Sequence, residues 1–496
     1  MGKKQSLANL ASEFSDESST WTYDRRGSIT GWQDRYHLRG GDGLIETFHW
    51  RMFRYVGLVI EAGDEPLTIR SFHHRFTAYP YEVKGYFKSS EASFERFWDM
   101  SIKTMRLCSH ETFEDGPYYE QMQYAGDTRI TSKIAMLTTG DYRLSRQALY
   151  QFDWSRVSDG LTHSRYPSRF MQIIPSWSLH WASNVRDYFL ISGDRETAID
   201  LLPGIRAVVD WFRRRVGSKG LPEDLEYWNT TEWCPDWQRG NPPGWDEGPT
   251  CVISCHYLHA LNELAWMEEQ VGDKRWVALL KEEAEATRTH IRELFWSEEE
   301  GLFTDRPGGP EISQYGNAWA ILTDVPSEEQ KKVLVNRFPH DEKLSMASFF
   351  GVHYLFEASK KLGTYERDFP QLIAPWNFME GFGLQTWAEE TSFWRGLCHA
   401  WSAHPLLEFI GVFLGIEPTA PGFDEVVISP QPCGLDHAEG QICTPKGDLK
   451  VSWKIDGNQF LAELTIPEGI KASLTAPNGE TVELSSGESS HSFSLK

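Results

Sequence analysis

The sequence predicts a mainly α-helical fold, an (α/α)6 barrel of helical hairpins with β-structure at both ends. From about residue 91 to residue 416, apolar side chains recur at the spacing of one helix face, and Gly-Asp pairs interrupt the pattern repeatedly. Outside that range the chain alternates apolar and polar residues between turns. We therefore expect a partial N-terminal β-sandwich over 1–90, the barrel over 91–416 and a C-terminal β-sandwich over 417–496.

The N-terminal region has the composition of strands. The runs 43–63 and 66–90 are rich in β-branched and aromatic residues, and Gly and Pro break them. The pattern then changes at 92–109, where one apolar face of a helix is formed by Phe94, Phe97, Trp98, Ile102 and Met105.

The hairpins are indicated by a recurring junction, found at Thr139-Gly140-Asp141, Ser192-Gly193-Asp194 and Val271-Gly272-Asp273. Gly tolerates the left-handed conformation that ends a helix, and Asp caps the next helix by accepting backbone N–H bonds. The tips are unevenly spaced, because the Trp-, Pro- and Gly-rich stretch 228–250 cannot form a regular helix. Long loops on a closed toroid suit binding groups, which favours a barrel over an open array.

The C-terminal region begins at a Pro- and Gly-rich boundary, 417–432. From residue 447 onward apolar and polar residues alternate, with turns at Asp456-Gly457 and Asn478-Gly479. This pattern predicts a small β-sandwich.

Net charge and composition restrict the classes of partner and substrate that the protein can bind. A formal net charge of -22 opposes binding to nucleic acid and to anionic membranes but is compatible with a neutral carbohydrate. The N-terminus lacks the apolar run of a signal peptide, which favours a cytoplasmic protein. The oligomeric state is left open. The 21 tryptophans offer flat apolar faces of the kind that stack on sugar rings, although a bulky helical core also uses them.

The seven cysteines favour buried free thiols. Cys251 and Cys255 lie beside His256, but the sequence has no second Cys/His pair at the spacing of a zinc site. We therefore expect neither a metal nor an organic cofactor.

The densest candidate site is the stretch 111–130. Its carboxylates Asp115, Glu120 and Asp127 lie among tyrosines, and Arg129 follows. Burial among aromatics and mutual repulsion both raise a carboxyl pKa, so that one group can stay protonated and act as a general acid. The alternative is a solvated acidic loop with Asp127 as a helix cap.

Two further stretches combine carboxylates with tryptophan. In 375–405, Glu389 and Glu390 lie between tryptophans that include Trp376 and Trp387, and His399 follows; one of the glutamates could activate a water. In the long loop, Asp236 is close to Trp233 and Trp237, a set that suits sugar hydroxyls and ring faces. Each has a structural alternative, a packed loop or a hydrogen-bonded core histidine.

Two distant carboxylate clusters on a toroid fit glycoside hydrolysis, in which one acid protonates the leaving oxygen and a second carboxylate activates water or attacks directly. The residues alone do not decide between inversion and retention.

The chain resembles the α-L-rhamnosidases of the six-hairpin glycosidases, glycoside hydrolase family 78. The resemblance lies in Asp115-Gly116-Pro117-Tyr118-Tyr119-Glu120, in Gly126-Asp127 and in Gly383-Leu384-Gln385-Thr386-Trp387-Ala388-Glu389. It implies an inverting enzyme with Glu120 as general acid and Glu389 as general base. It further implies that Asp115 and Asp127 bind sugar hydroxyls and that His399 lines the sugar site, and Asp236-Trp237 resembles a family Asp-Trp pair. We also expect Arg129, Asp236 and His399 to hold hydroxyls, with walls formed by Trp233, Trp237, Trp376 and Trp387.

Trp and Glu around Glu389 are transposed relative to the family pattern, so Glu390 competes for the role of base. We expect release of terminal non-reducing α-L-rhamnose from glycosides or oligosaccharides. The alternatives are a same-fold hydrolase, phosphorylase or lyase acting on another sugar, a sugar-binding protein without catalysis, and an open helical scaffold.

Overall fold

The computed structural model describes residues 33–54, 56–390 and 396–495. Its helices alternate between an outer and an inner layer. The outer helices are α1 (Ala92–Leu107), α3 (Arg143–Trp154), α5 (Arg195–Arg213), α7 (Arg275–Phe295), α9 (Glu328–Arg337) and α11 (Tyr365–Gly381). The inner helices are α2 (Ala125–Thr139), α4 (Pro175–Ser192), α6 (Cys251–Gln270), α8 (Gln314–Leu322), α10 (Phe349–Leu362) and the short α12 (Pro405–Glu408).

The inner helices close a ring. Each of α2, α4, α6, α8 and α10 packs on the next, and α10 packs on the 3-10 turn Ala400–Ala403, which returns to α2. Helix α12 follows this turn and runs into the π-helix Phe409–Phe413. The predicted (α/α)6 barrel is therefore confirmed.

Burial explains why the two layers differ in sequence. Inner helices such as α4 are buried on nearly every side, and their apolar residues accordingly show little one-sided pattern. Outer helices such as α5 bury one face only, which includes Leu201, Ile205 and Val208. The apolar spacing in the sequence therefore marks the outer layer most clearly.

The short hairpin tips lie on one side of the barrel and the long loops on the other. Gly140 and Gly193 have φ of 69° and 72°, the left-handed conformation expected at these tips. Asp194 caps α5 by accepting a bond of 3.1 Å from the amide of Thr197. Gly272 differs from expectation: it has no positive φ, and it is glycine because a Cβ would lie 2.8 Å from the Leu202 side chain and 2.9 Å from the Glu268 backbone.

The C-terminal region forms two packed sheets, as predicted. One has the antiparallel order β1 (Tyr86–Ser89), β6 (His437–Thr444), β7 (Gly447–Asp456), β8 (Gln459–Ile466) and β11 (Gly487–Ser494). The other has the order β10 (Thr481–Leu484), β9 (Lys471–Thr475), β5 (Glu425–Ile428) and β4 (Ile416–Pro418), with β5 and β9 parallel. A hairpin of β2 (Trp296–Ser297) and β3 (Leu302–Phe303) follows α7.

The N-terminal region differs from the prediction of a separate partial β-sandwich. Residues 33–54 and 56–85 contain no helix or strand, and the part of the prediction that covers 1–32 lies outside the described residues. Strand β1 pairs instead with β6 of the C-terminal sheet, Tyr86 opposite Gln441. A β-branched run forms a strand only where a partner strand supplies its hydrogen bonds, and among the described N-terminal residues β1 alone has one.

All seven cysteines are free thiols, six of them buried, which confirms that prediction. None of the described helices combines the length and the hydropathy that a membrane span requires.

Candidate active site

The candidate site lies on the long-loop side of the barrel, where the inner helices begin. Two segments meet there. The acid loop, residues 108–124, connects α1 to α2, and the base segment, residues 384–390 and 396–402, connects α11 to α12.

The acid loop is closed by Asp115. Its amide donates to the Met122 carbonyl at 2.8 Å, and its carboxylate oxygen Oδ1 accepts from the Met122 amide at 2.9 Å. Pro117 and the positive φ of Gln121 keep this stretch from continuing as a helix. The loop then enters α2 two residues before Asp127, so Asp115, Glu120 and Asp127 belong to one compact unit.

The two parts of the base segment, 384–390 and 396–402, are hydrogen-bonded to each other through their backbones. The amide of Glu389 donates to the Gly396 carbonyl at 2.7 Å, and the amide of His399 donates to the Trp387 carbonyl at 2.8 Å. The indole of Trp401 donates to the Glu389 carbonyl at 3.0 Å. Gly396 has a φ of 63°, and a Cβ there would lie 2.4 Å from the carboxylate oxygen Oε2 of Glu389. The glycine therefore leaves the room that the Glu389 carboxylate occupies.

The two segments are joined directly. The amide of Ala400 donates to the Asp115 carbonyl at 2.8 Å. A Cβ on Gly116 would lie 2.9 Å from the carbonyl oxygen of Cys398, so only glycine permits this approach. The thiols of Cys108, in the acid loop, and Cys398, in the base segment, are 3.9 Å apart.

The carboxylates of Glu120 and Glu389 are close enough to Asp115 and Asp127 to change the pKa values of the two aspartates. Burial, together with the negative charges of Glu120 and Glu389, raises the pKa of Asp115 to about 8, although backbone hydrogen bonds from Met122 and Gly116 lower it in part. Burial also holds the pKa of Asp127 well above its usual value, with added repulsion from Asp115, Glu120 and Glu389. The barrel thus brings Glu120 and Glu389 to the same two aspartates, from opposite ends of the helical region.

His399 lies between those aspartates. Its Nε2 is 3.8 Å from Asp115 Oδ2 and its Nδ1 is 3.7 Å from Asp127 Oδ1. The ring packs on Trp401 with centroids 4.2 Å apart. The imidazole and the two carboxylates present donors and acceptors within one small volume, an arrangement that can hold several hydroxyl groups.

Glu120 is positioned by two side chains. The hydroxyl of Tyr124 donates to Glu120 Oε2 at 2.7 Å, and Arg165 donates to the same hydroxyl at 2.9 Å. The Arg165 guanidinium is itself 3.9 Å from Glu120 Oε2. The Glu120 side chain is partly exposed, so it can reach a bound ligand.

Arg129 has a different setting from the one predicted. Its Nε donates to Asp187 Oδ2 at 2.9 Å, and its guanidinium is 3.8 Å from Glu263. It is therefore part of an ion-pair network between α2, α4 and α6, and its contact with a sugar stays a prediction. Glu390, unlike Glu389, is exposed.

The predicted tryptophans fall into two groups. Trp233 is 46% exposed and packs edge-to-face on Trp228, so it can offer a wall, while Trp237 is buried nearby. Asp236 is exposed and accepts from the Ser345 hydroxyl at 2.9 Å.

Trp376 and Trp387 do not fit the predicted role as walls, because both are fully buried. Their indoles donate at 2.8 Å to the Ser402 carbonyl and to the Ser101 hydroxyl. Trp387 also packs edge-on against Phe97, so both tryptophans stabilise the core under the base segment.

Sequence reasoning missed three groups at this face. Glu232 is buried and accepts from the amides of Trp233 and Ser348 at 2.8 and 3.0 Å, and burial raises its pKa to about 7. Its position inside the Trp-rich loop was a usable signal. Arg165 and Trp177, which packs on Gly126, carried no local pattern that distinguishes them from other residues of their type.

Among the described residues, one group has the atoms to hold a metal ion, His353, His404 and Glu408, and it is separate from these carboxylates.

Comparison with known proteins agrees with this architecture. The family described as bacterial alpha-L-rhamnosidase 6 hairpin glycosidase domain matches residues 82–366, and the bacterial alpha-L-rhamnosidase C-terminal domain matches residues 415–491. An alpha-L-rhamnosidase of Alteromonas sp. (strain LOR) is 35% identical over 99 residues, which are 20% of this chain and 10% of that protein.

Solved structures share the fold. A GH78 family rhamnosidase of Bacillus sp. GL1 has a TM-score of 0.74 at 24% identity, covering 81% of this chain and 44% of its own. The Streptomyces avermitilis alpha-L-rhamnosidase complexed with L-rhamnose has a TM-score of 0.71 at 15% identity, covering 84% and 42%. The chain thus spans less than half the length of these two relatives. Since the first family match covers more than half of the chain, the protein belongs to the bacterial α-L-rhamnosidase six-hairpin glycosidase family.

Proposed function

We propose that the chain hydrolyses terminal α-L-rhamnosides with inversion at the anomeric carbon. The observation that carries the proposal is the meeting of four carboxylates: Glu120 and Glu389 both raise the pKa of Asp115 and of Asp127. The family match and the rhamnose-bound Streptomyces relative support L-rhamnose as the sugar.

Glu120 is the proposed general acid. Its carboxyl is partly exposed, and the Tyr124 hydroxyl holds it through Oε2. This carboxyl would give a proton to the glycosidic oxygen as the bond to the sugar breaks. The Arg165 guanidinium would stabilise the carboxylate that remains after the transfer.

Glu389 is the proposed general base. Its backbone is held at the amide by Gly396 and at the carbonyl by Trp401, which fixes the point from which its side chain extends. It would take a proton from a water that attacks the face of the sugar opposite the leaving group. Glu390 is the competing base, and its exposure makes it the weaker candidate.

Asp115, Asp127 and His399 are the proposed hydroxyl-binding groups. With raised pKa values the two aspartic acids can donate as well as accept hydrogen bonds at neutral pH, which matches the two-way bonding of a hydroxyl. Trp233 would supply an apolar face from the long loop, with Asp236 beside it. Arg129 acts through Asp187, by holding α2 against α4.

The test is an assay with an aryl α-L-rhamnoside, with NMR of the first-formed sugar. Hydrolysis that gives the β-anomer first supports both the activity and the inverting course. A first-formed α-anomer would keep the activity and remove the inverting assignment. Turnover only of other aryl glycosides would replace rhamnose as the substrate. Turnover only in the presence of phosphate would replace hydrolysis by phosphorolysis. Binding of rhamnose without turnover would exclude an enzyme.

A further inference from the structure

A second cluster of reactive side chains lies at the closure of the barrel, outside the carboxylate site. His353 comes from the inner helix α10, and His404 and Glu408 come from the start and end of the short helix α12. The side chains of His353 and Glu408 are 8% and 1% exposed, and His404 is fully buried. Their nitrogen and oxygen ligand atoms all lie within 4.8 Å of one another.

The hydrogen bonds around the cluster leave the inward-facing atoms without protein partners. His404 Nε2 donates to the Phe349 carbonyl at 2.9 Å, so in the neutral ring Nδ1 presents a lone pair. The hydroxyl of Tyr365 donates to Glu408 Oε2 at 3.1 Å. Among the described residues, no hydrogen-bond partner is found for His353 Nδ1, His404 Nδ1 or Glu408 Oε1.

Three buried polar atoms without partners are costly unless something satisfies them together. A protonated Glu408 that donates to a ring would do so, but it needs a hydrogen-bond distance, and His353 Nδ1 is 3.8 Å from Glu408 Oε1. That separation is close to the roughly 3.4 Å expected between two ligands about 2.1 Å from one tetrahedral ion.

The surroundings have the features of an imidazole and carboxylate metal site. At His404 and Glu408 the other polar atom of the group is held by a hydrogen bond, which fixes the orientation of the ligand atom. The nearby cations Lys133 and Lys360 are already paired, with Asp187 at 2.9 Å and with Glu417 at 3.0 Å, and Glu357 adds a negative charge.

We propose that His353, His404 and Glu408 bind one divalent transition-metal ion, with zinc as the best match, and that the ion fastens α12 to α10 where the ring closes. Two imidazoles and one carboxylate are a set of three protein ligands that zinc uses with a water in the fourth position. The site is structural: its ion would hold the helix that follows the His399–Ala400 segment and would take no part in sugar chemistry.

The test measures metal content and stability of the full chain. The protein is unfolded in chelator, refolded with ZnCl2 or CoCl2, freed of loose metal and measured by mass spectrometry. We expect about one equivalent per chain, visible absorption bands from bound cobalt, and a thermal midpoint several degrees above that of the chelated protein. Less than a tenth of an equivalent of either metal in the folded native chain would overturn the proposal.

Variants separate this cluster from other sites. His404→Gln and Glu408→Gln should lose the metal and the cobalt bands. His256→Gln, which removes a buried imidazole beside Cys251 and Cys255, should keep both. Retention in the first two variants, or loss only in the third, would contradict the assignment. If the first two do not fold, Tyr365→Phe keeps all three ligands and should weaken binding about tenfold or more; unchanged affinity would contradict the role of Glu408.

Discussion

The amide of Ala400 donates a hydrogen bond of 2.8 Å to the carbonyl of Asp115. This bond joins the loop that carries Glu120 to the segment that carries Glu389, although the two glutamates come from opposite ends of the helical region. The relative position of acid and base is therefore set by backbone contacts and does not depend on the side chains alone.

Glu389→Gln should lower kcat for an aryl α-L-rhamnoside by about a thousandfold or more, because an amide cannot take a proton from the attacking water. Glu390→Gln is the matched control and should change kcat less than about threefold, since that side chain is exposed. Steady-state kinetics of the two variants show which of the two glutamates acts as the general base. The opposite ranking would transfer the role to Glu390.

Glu120→Gln should impair the enzyme in a way that depends on the leaving group. A nitrophenolate leaves without much protonation, whereas an alkoxide needs the proton, so the loss should be about tenfold or more greater for an alkyl rhamnoside. Rates for the two substrates with wild type and variant give the comparison. Equal losses on both would mean that Glu120 does not protonate the leaving oxygen.

Asp115→Asn should change the pH dependence of stability. The folded protein keeps the Asp115 proton up to about pH 8, while the unfolded chain releases it near pH 4. The folded state therefore binds the extra proton in this window, and its contribution to stability falls as pH rises. Removing the group should make the slope of unfolding free energy less negative by up to about 1.4 kcal/mol per pH unit.

Denaturant unfolding between pH 5 and pH 8 measures that slope. Asp141→Asn is the control, because the bonds from Arg143 lower the pKa of Asp141 and its contribution changes only below that window. Parallel curves for wild type and Asp115→Asn would refute the prediction.

Gly396→Ala should lower kcat at least tenfold, because its Cβ would lie 2.4 Å from Glu389 Oε2 and displace the carboxylate. Gly383→Ala tests backbone strain alone: Gly383 also has a positive φ, 84°, but a Cβ there meets nothing within 4 Å. Both variants should lose about 1 kcal/mol of stability from the left-handed backbone. Equal kcat in the two would show that the steric contact does not matter.

Trp233→Ala should raise KM by up to about tenfold with little change in thermal stability, since a half-exposed indole is available for stacking. Trp387→Phe should instead cost about 1–3 kcal/mol of stability, because Ser101 loses its buried partner. Kinetics and thermal unfolding of both variants test this. A rise in KM confined to Trp387→Phe would restore Trp387 as a wall.

Much of the fold could be predicted from the sequence because its signals are local. Gly140 and Gly193 end their helices as expected from residue type alone, and the alternation after residue 447 predicted strands that the structure contains. The strands predicted for 43–63 failed in the described residues, because strand formation depends on a partner that the segment itself does not encode.

The site was predictable where chemistry is concentrated in a short stretch, as around Asp115 and Asp127. It was not predictable where function depends on exposure. Trp233 and Trp387 have similar sequence surroundings, yet one is half-exposed and the other is core. Arg129 also shows this limit, because its partner Asp187 comes from the next inner helix.

Strand β1 ends three residues before α1 and pairs with β6, which follows the last inner helix. The strand before the first helix and a strand after the last helix are thus hydrogen-bonded to each other, which ties the two ends of the helical region together. Removing the C-terminal sheet would leave Tyr86–Ser89 without its partner strand. The helical and β regions should accordingly melt in one calorimetric transition, and a chain cut at residue 415 should melt at a lower temperature.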